Sequence, residues 1–321
     1  MPPKAPALAP RVVVLMSTYQ GERFVAEQLR SILGQLPPSG RVLVRDDGSR
    51  DGTAAIVDGL ADPRVQLQRG ANLGFGGSFL TLLLQAPADA DLVMFADQDD
   101  VWLPGKVERA WQHLLPLGDT PGLYGSAQML VDAQLHPLQA TPPWPGPPSF
   151  AGALTENMIT GCTAALNRAA VQLLQRAGVP AGVRFHDWWL YLVVSAFGQV
   201  VFDEQPTLLY RQHGQNQIGH GAGWLGHQWQ IIRFLMRNDW VGILLAQVAA
   251  LMRCYGAALP PLQRQLVERH FEQRGDRWRP GWRLVFSLRR WRHTAFGEAA
   301  LRLLLALHRL RLWPRPGQRL D

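Results

Sequence analysis

The stretch "FADQDDVWLPGK" places three carboxylates, Asp97, Asp99 and Asp100, within four positions at the end of the apolar run "DLVMFA". Carboxylates crowded in this way repel one another and call for a counter-charge. On an extended segment, residues two apart share a face, so Asp97 and Asp99 are expected to aim at one target with Gln98 turned away. Hard oxygen donors of this kind suit Mg²⁺ or Mn²⁺, ions that keep several waters and often share a substrate's phosphates. A lone Asp-x-Asp also occurs in solvated acidic turns, so its weight depends on what surrounds it. "RDDGSRDGT" is a tight turn whose first acids, Asp46 and Asp47, can accept hydrogen bonds from a base or a ribose. It lacks the lysine and the spacing of a phosphate-binding P-loop, which argues against ATP hydrolysis. "NLGFGGS" offers backbone that a ligand can approach closely, a weak signal by itself.

These residues sit at the ends of regular elements. "RVVVLMSTY", "RVLVRDDGS", "RVQLQRG" and "DLVMFADQDD" read as short buried strands. Between them, "GERFVAEQLRSILGQ", with apolar Phe24, Val25, Leu29, Ile32 and Leu33, has helical spacing. "RDGTAAIVDGLA" and "FLTLLLQA" read as further helices. Strand and helix alternate as in an α/β fold with a mostly parallel sheet and helices on both faces. In such sheets ligands collect at the carboxyl ends of the strands. Thr18 and Tyr19, Asp46 and Asp47, Asn72, and Asp97 and Asp99 all fall there. Each alone could be a helix cap or turn former; four successive strand ends of this kind point to a site.

The second half opens with the proline-dense "HPLQATPPWPGPPSF" (136–150), expected as a surface loop because it suits neither a regular helix nor a central strand. "NMITGCTAALNRAAVQLLQRAG" returns to strand and helix. "RFHDWWLYLVVSAFG" reads as an apolar helix with Asp187 able to cap its start, and "QVVFDEQPTLLYRQHGQNQIG" as a strand pair with a polar loop.

Composition bounds the rest. A chain of 321 residues, 47% hydrophobic, is long enough for a sizeable core and an appendage. Cys162 and Cys254, far apart, suit a reducing compartment and are both expected to be buried thiols. "MPPKAPALAP" lacks the apolar stretch of a signal peptide, and "VGILLAQVAALM" (241–252) is shorter than a membrane span. Residues 221–321 hold 17 Arg and 6 acids, net +11, against −4 for the remainder. A mildly acidic body with a basic, Trp-rich extension suggests an anionic partner for the extension.

In this order, "MSTYQGERFVAEQLRSILGQ", "VRDDGSRDGT", "NLGFGGSF", "ADQDDVWLPGK", "TGCTAALNR", "FHDWW" and "YRQHGQNQIG" resemble family 2 glycosyltransferases of the GT-A fold, and most of all their bacterial rhamnosyltransferase-type members. The resemblance covers about two-thirds of the chain (12–219) and implies a nucleotide-sugar donor, a divalent metal and inversion at the anomeric carbon. It assigns Thr18, Tyr19 and Asp47 to the nucleoside, with Asn72 a weaker match. Asp99 falls to the metal, Asp97 to ribose or metal, His213 to metal or diphosphate, and Asp187 to the catalytic base. "GFGGS" departs from the family where some members carry a lysine, leaving diphosphate contacts on that side undefined. The resemblance favours dTDP-L-rhamnose as donor, with UDP-hexoses open. The acceptor implied is a saccharide, often lipid-linked in such enzymes, with the protein cytoplasmic and peripheral at the inner face of the cytoplasmic membrane. The expected organisation is a flexible 1–10, a catalytic domain over 11–220 (11–110 for the nucleotide, 111–220 for the acceptor) and a helical extension over 221–321 that docks on an anionic membrane or packs on the domain. Two alternatives compete: a nucleotidyltransferase making sugar nucleotides, disfavoured because "STYQGERF" offers only Arg23, and a non-catalytic binder of nucleic acid or another anionic surface, which leaves the strand-end acids unexplained.

Overall fold

The computed structural model describes residues 10–212, 239–275, 277–310 and 312. They form two compact units, one of Met1–Pro143, Ile159–Val179 and Gly198–Arg211, the other of Trp144–Met158, Pro180–Phe197 and Gln212–Asp321. His213 and most of "GWLGHQWQIIRFLMRNDW" lie outside the described residues.

The first unit begins with β1 (Val12–Thr18), α1 (Val25–Leu33), β2 (Arg41–Asp46), α2 (Thr53–Gly59), β3 (Val65–Arg69), α3 (Gly74–Gln85) and β4 (Leu92–Ala96). β1 and β4 are buried along nearly their whole length, as apolar runs without alternation must be in a sheet covered on both faces. Each buried Val, Leu or Ile contributes about 1.5–3 kcal/mol to the fold. α1 lays Val25, Leu29 and Ile32 on the core and also buries Gln28. Then come β5 (Val101–Trp102), α4 (Lys106–Leu114), β6 (Gly122–Ser126), β7 (Met129–Val131) and β8 (Pro137–Ala140).

The main sheet runs β10-β6-β9-β4-β1-β2-β3, where β9 is Ala165–Asn167 and β10 is Gln199–Asp203. β1 pairs in parallel with β2 and β4, β2 with β3, and β6 with β10, while β9 is antiparallel between β4 and β6. At the β10 edge a Cβ on Gly198 would stand 1.9 Å from the Pro121 carbonyl oxygen, so this pairing requires glycine. α6 (Arg168–Gln175) follows β9, its start capped by the Asn167 side chain. The sheet is the mixed, mostly parallel α/β arrangement expected.

A smaller sheet, β5-β11-β7-β8 with β11 at Leu208–Arg211, corrects the reading of 199–211 as a strand pair: β10 and β11 belong to different sheets. The proline-dense stretch is loop apart from Phe150, which starts a short helix, and edge strand β8, whose Pro137 is its first residue, the place where a missing N–H is tolerated. α3 also begins earlier than expected. The glycine-rich "GFGGS" is its first turn rather than a loop, entered through Gly74 at φ +70°.

The second unit is built on α5 (Phe150–Ala153), α7 (His186–Phe197), α8 (Trp240–Tyr255), α9 (Pro261–His270), a hairpin of β12 (Phe271–Arg274) and β13 (Arg277–Pro280), α10 (Trp282–Val285) and α11 (Ala295–Arg309). Caps at Ser149, Asp239 and Thr294 start α5, α8 and α11 by accepting from backbone N–H groups. α7 buries nine of its residues, and aromatic rings hold it to α8. Trp188 stacks on Trp240 at 4.8 Å, and Trp189 and Phe197 meet Tyr255. The described part of the basic extension, from residue 239 on, is therefore helical with one hairpin. Several arginines are structural: Arg309 pairs with Glu272, Arg302 with Glu298, and Arg292 donates to the Thr155 carbonyl. Cys162 is buried as expected, but Cys254 is exposed near the end of α8.

Candidate active site

The carboxyl ends of β1, β2 and β4 and the β3–α3 connection are joined by one hydrogen-bonded network. Thr18 is buried and donates its hydroxyl to Asp46 at 3.1 Å; Asp46 also accepts from the Ser49 N–H and hydroxyl. The Asp47 N–H donates to the Thr18 carbonyl at 2.8 Å. The Asp47 carboxylate accepts from the Leu73 N–H at 2.9 Å and is ion-paired with Arg45, whose guanidinium also reaches Ser78 and the Ala71 carbonyl. Thr18 and Asp47 are thus fixed and buried, with their polar groups engaged. Tyr19 is half exposed, and Asn72 is exposed, accepting from the Gly74 N–H.

Gln98 closes the network. Its carbonyl accepts from the Tyr19 N–H at 2.8 Å and its amide donates to the Tyr19 carbonyl at 2.9 Å. A Cβ on Gly21 would fall 2.1 Å from the Gln98 oxygen, so glycine makes room for this clasp. The Asp97 carbonyl accepts from buried Gln28 at 2.9 Å.

β4 ends at Ala96, so Asp97 to Asp100 form a bend and the two-residue face rule does not govern them. The donor atoms brought within 4.8 Å of one another belong to Asp97, Asp100 and Cys162; Asp99 is outside this group among the described residues. Burial foremost, then the charges of Asp99 and Asp97, push the Asp100 carboxyl well above the usual carboxylate range. Burial foremost, then Asp100 and Asp97, also raises the Cys162 thiol, which keeps its proton. The oxygen donors fit a hard divalent cation that would neutralise the crowded acids; the protonated sulfur does not. Lys106, wholly buried, donates to Thr207 at 3.1 Å, and burial pulls its ammonium down to about 8.

Arg211 organises this bend, a role the sequence reading did not assign. It donates to the Asp99 carbonyl at 2.8 Å, to the Ala133 carbonyl at 2.7 Å and to Glu27 at 2.6 Å, and lies over the Phe24 ring. Its N–H donates to Asp100. The sequence signal was an arginine closing the apolar run "TLLY". Arg45, inside "VLVRDD", is the same kind of signal: a cation in a buried strand needs an anion beside it.

Asp187 belongs to the second unit. It lies in the first turn of α7 rather than at its cap, half-buried, and accepts from the Trp188 N–H at 2.7 Å. Trp188 and Trp189 are buried, Trp188 donating to the Ala153 carbonyl at 2.7 Å, which anchors the turn carrying Asp187. His186 is buried, and burial lowers its imidazole to about 3, so it stays neutral.

The mostly parallel sheet with polar strand ends, a crowded acid bend and an antiparallel strand set into it has the GT-A type of fold. The family described as Glycosyl transferase family 2 matches residues 13–172, and the chain belongs to it. Among curated relatives, the dTDP-rhamnosyl transferase RfbG of Shigella flexneri is 26% identical over 244 residues, covering 70% of this chain and 80% of that protein. Two solved structures share the fold. TarS residues 1–349 from S. aureus, in complex with UDP-GlcNAc, has a TM-score of 0.59 at 13% identity, covering 95% of this chain and 82% of its own. The mannosyltransferase PcManGT of Pyrobaculum calidifontis, in complex with GDP-Man and Mn²⁺, has a TM-score of 0.51 at 17% identity, covering 94% and 87%. The chain is a glycosyltransferase.

Proposed function

We propose that this glycosyltransferase moves L-rhamnose from dTDP-L-rhamnose onto a saccharide acceptor, with inversion, during assembly of a bacterial surface polysaccharide. The observation that carries the site assignment is the acid-crowded bend after β4, tied to the ends of β1 and β2. Similarity over most of the length of a dTDP-rhamnosyl transferase supports the donor.

Thr18, Tyr19, Asp47 and Asn72 hold the nucleoside in this reading. Buried Arg45 pairs with Asp47 and holds it in place, and exposed Tyr19 offers a ring face to the base. Asp97 and Asp99 would hold Mg²⁺ or Mn²⁺, with His213 a further ligand; bound there, the metal supplies positive charge to the leaving diphosphate. The occurrence of Mn²⁺ beside GDP-Man in a protein of this fold supports that choice. Asp187 takes the proton from the acceptor hydroxyl as its oxygen bonds to the anomeric carbon. The bond to the diphosphate breaks on the opposite face, and no covalent enzyme intermediate is required. A lipid-linked acceptor would keep the protein at the inner face of the cytoplasmic membrane; among the described residues no helix is long and apolar enough to cross one.

A donor panel tests the reading. dTDP-L-rhamnose with Mn²⁺ should stabilise the protein against heat and release dTDP with a glycan acceptor, above UDP-glucose and UDP-GlcNAc. Preferential turnover of a UDP-hexose would replace the donor and keep the class.

A further inference from the structure

The second unit carries a hollow of about 760 Å³ between α9, α10 and the turn after α10. Apolar side chains around it face solvent to an unusual degree: Leu262 is 78% exposed, Phe286 74% and Leu288 104%. Trp282 stacks on Phe286, giving the group a rigid aromatic wall. Three arginines, Arg269, Arg283 and Arg289, line the same hollow, and none of its lining residues is acidic. Among the described residues these three make no side-chain ion pair, whereas Arg302 and Arg309 nearby are matched with glutamates. The crowding has an electrostatic mark on His270. Burial foremost, then the charges of Arg269, Arg289 and Arg283, lower its imidazole below the ordinary value.

We propose that this face of α9 and α10 is the surface by which the protein docks on an anionic phospholipid bilayer. Leu262, Phe286 and Leu288 enter the acyl boundary, and Arg269, Arg283 and Arg289 meet the lipid phosphates. The inference rests on the membrane-side reading above and assigns it to named residues.

The charge pattern selects the occupant. A second copy of this region, itself rich in arginine, would bring like charges together. So would segments 213–238 and 313–321 of the same chain, which hold four arginines and one acid between them. An anionic leaflet supplies both needed chemistries at once, phosphates for the guanidinium groups and hydrocarbon for side chains that water disfavours. Arginine suits this depth because its stem lies along apolar surface while its head stays polar.

The test is flotation of the full-length protein with vesicles of phosphatidylcholine alone and with phosphatidylglycerol added. Binding should require phosphatidylglycerol and weaken with salt. Arg283→Gln with Arg289→Gln should lower the partition coefficient by a factor on the order of 10 or more, since each cation near such a surface counts for several-fold. Phe286→Ser with Leu288→Ser should lower it at every phosphatidylglycerol fraction to which the wild type binds. These side chains are exposed, so both variants should keep the wild-type melting temperature, donor-induced stabilisation and dTDP release with a soluble acceptor. Loss of those donor readouts in the wild type alone would sink the proposed function and leave the docking surface standing. Vesicle binding unchanged in both double variants overturns the proposal. So does a wild-type dimer in lipid-free sedimentation that Phe286→Ser abolishes, or binding of the same arginines to single-stranded nucleic acid in place of vesicles.

Discussion

Arg211 serves four groups from one side chain, so its geometry matters beyond its charge. A lysine there has no planar fork for two carbonyls and a carboxylate. Arg211→Lys should cost about 2–4 kcal/mol in urea unfolding, since it strands buried acceptors. Donor affinity should fall along with stability, because the Asp99 backbone loses its anchor. The acids themselves should behave in the opposite way. Removing one carboxylate from a crowded group relieves repulsion, so Asp97→Ala and Asp99→Ala should match or exceed the wild-type melting temperature in EDTA. Both should lose metal-dependent transfer; full activity of Asp99→Ala in EDTA would remove that residue from any metal role. Asp187→Asn should keep donor-induced stabilisation and cut kcat by a factor on the order of 10² or more. A parallel fall in donor affinity would instead mark Asp187 as a local structural residue of α7.

At the scale of the element, α7 is where local sequence and surroundings diverge most. Its apolar run identifies a helix, but burial on nearly every side, including His186, is set by partners distant in sequence. His186 stays neutral in the fold, while the unfolded chain takes up a proton below about pH 6.5. Stability should therefore fall as pH drops from 6.5 towards about 3, by about 1.4 kcal/mol per unit. His186→Gln should narrow the loss between pH 7 and pH 5 by about 2 kcal/mol, read from urea midpoints at each pH. The strands β1, β2 and β4 were legible because uninterrupted Val, Leu and Met admit few alternatives. So was their common polar end, which carries Thr18, Asp47 and Asp97. The small sheet was not legible: β5, β7 and β11 are two to four residues long, and their pairing depends on register between distant segments. The same limit hid Asp100 and Cys162, since the bend after Ala96 turns the acids off the alternation that an extended strand would give.

At the scale of the whole molecule, the basic C-terminal region is less separable than its charge suggests. A boundary near residue 220 was the expectation from composition. By packing, Trp144–Met158 and Pro180–Phe197 group with Gln212–Asp321. Deleting 221–321 would remove Trp240 and Tyr255 from α7 and the Trp291 carbonyl from the Thr155 hydroxyl. The truncated chain should be poorly soluble or lose the α7 turn that holds Asp187, observable as lost near-ultraviolet circular dichroism from the buried tryptophans. Point variants on the exposed face of α9 and α10 are therefore the sound way to separate docking from folding.

The stacking of Trp188 on Trp240 also bears on how the protein is made. About fifty residues separate the two rings along the chain, and at 5–20 residues per second the ribosome needs on the order of 3–10 s to bridge that gap. Throughout that interval α7 has emerged without the helix that covers it, and "WWLYLVV" is available to any hydrophobic surface nearby. The first unit also waits, since its edge strand β10 and strand β11 are synthesised after α7. Neither unit can close early in translation. A nascent chain of this design should be most open to holding chaperones late in synthesis, and slowing translation beyond residue 197 should lengthen its most aggregation-prone state.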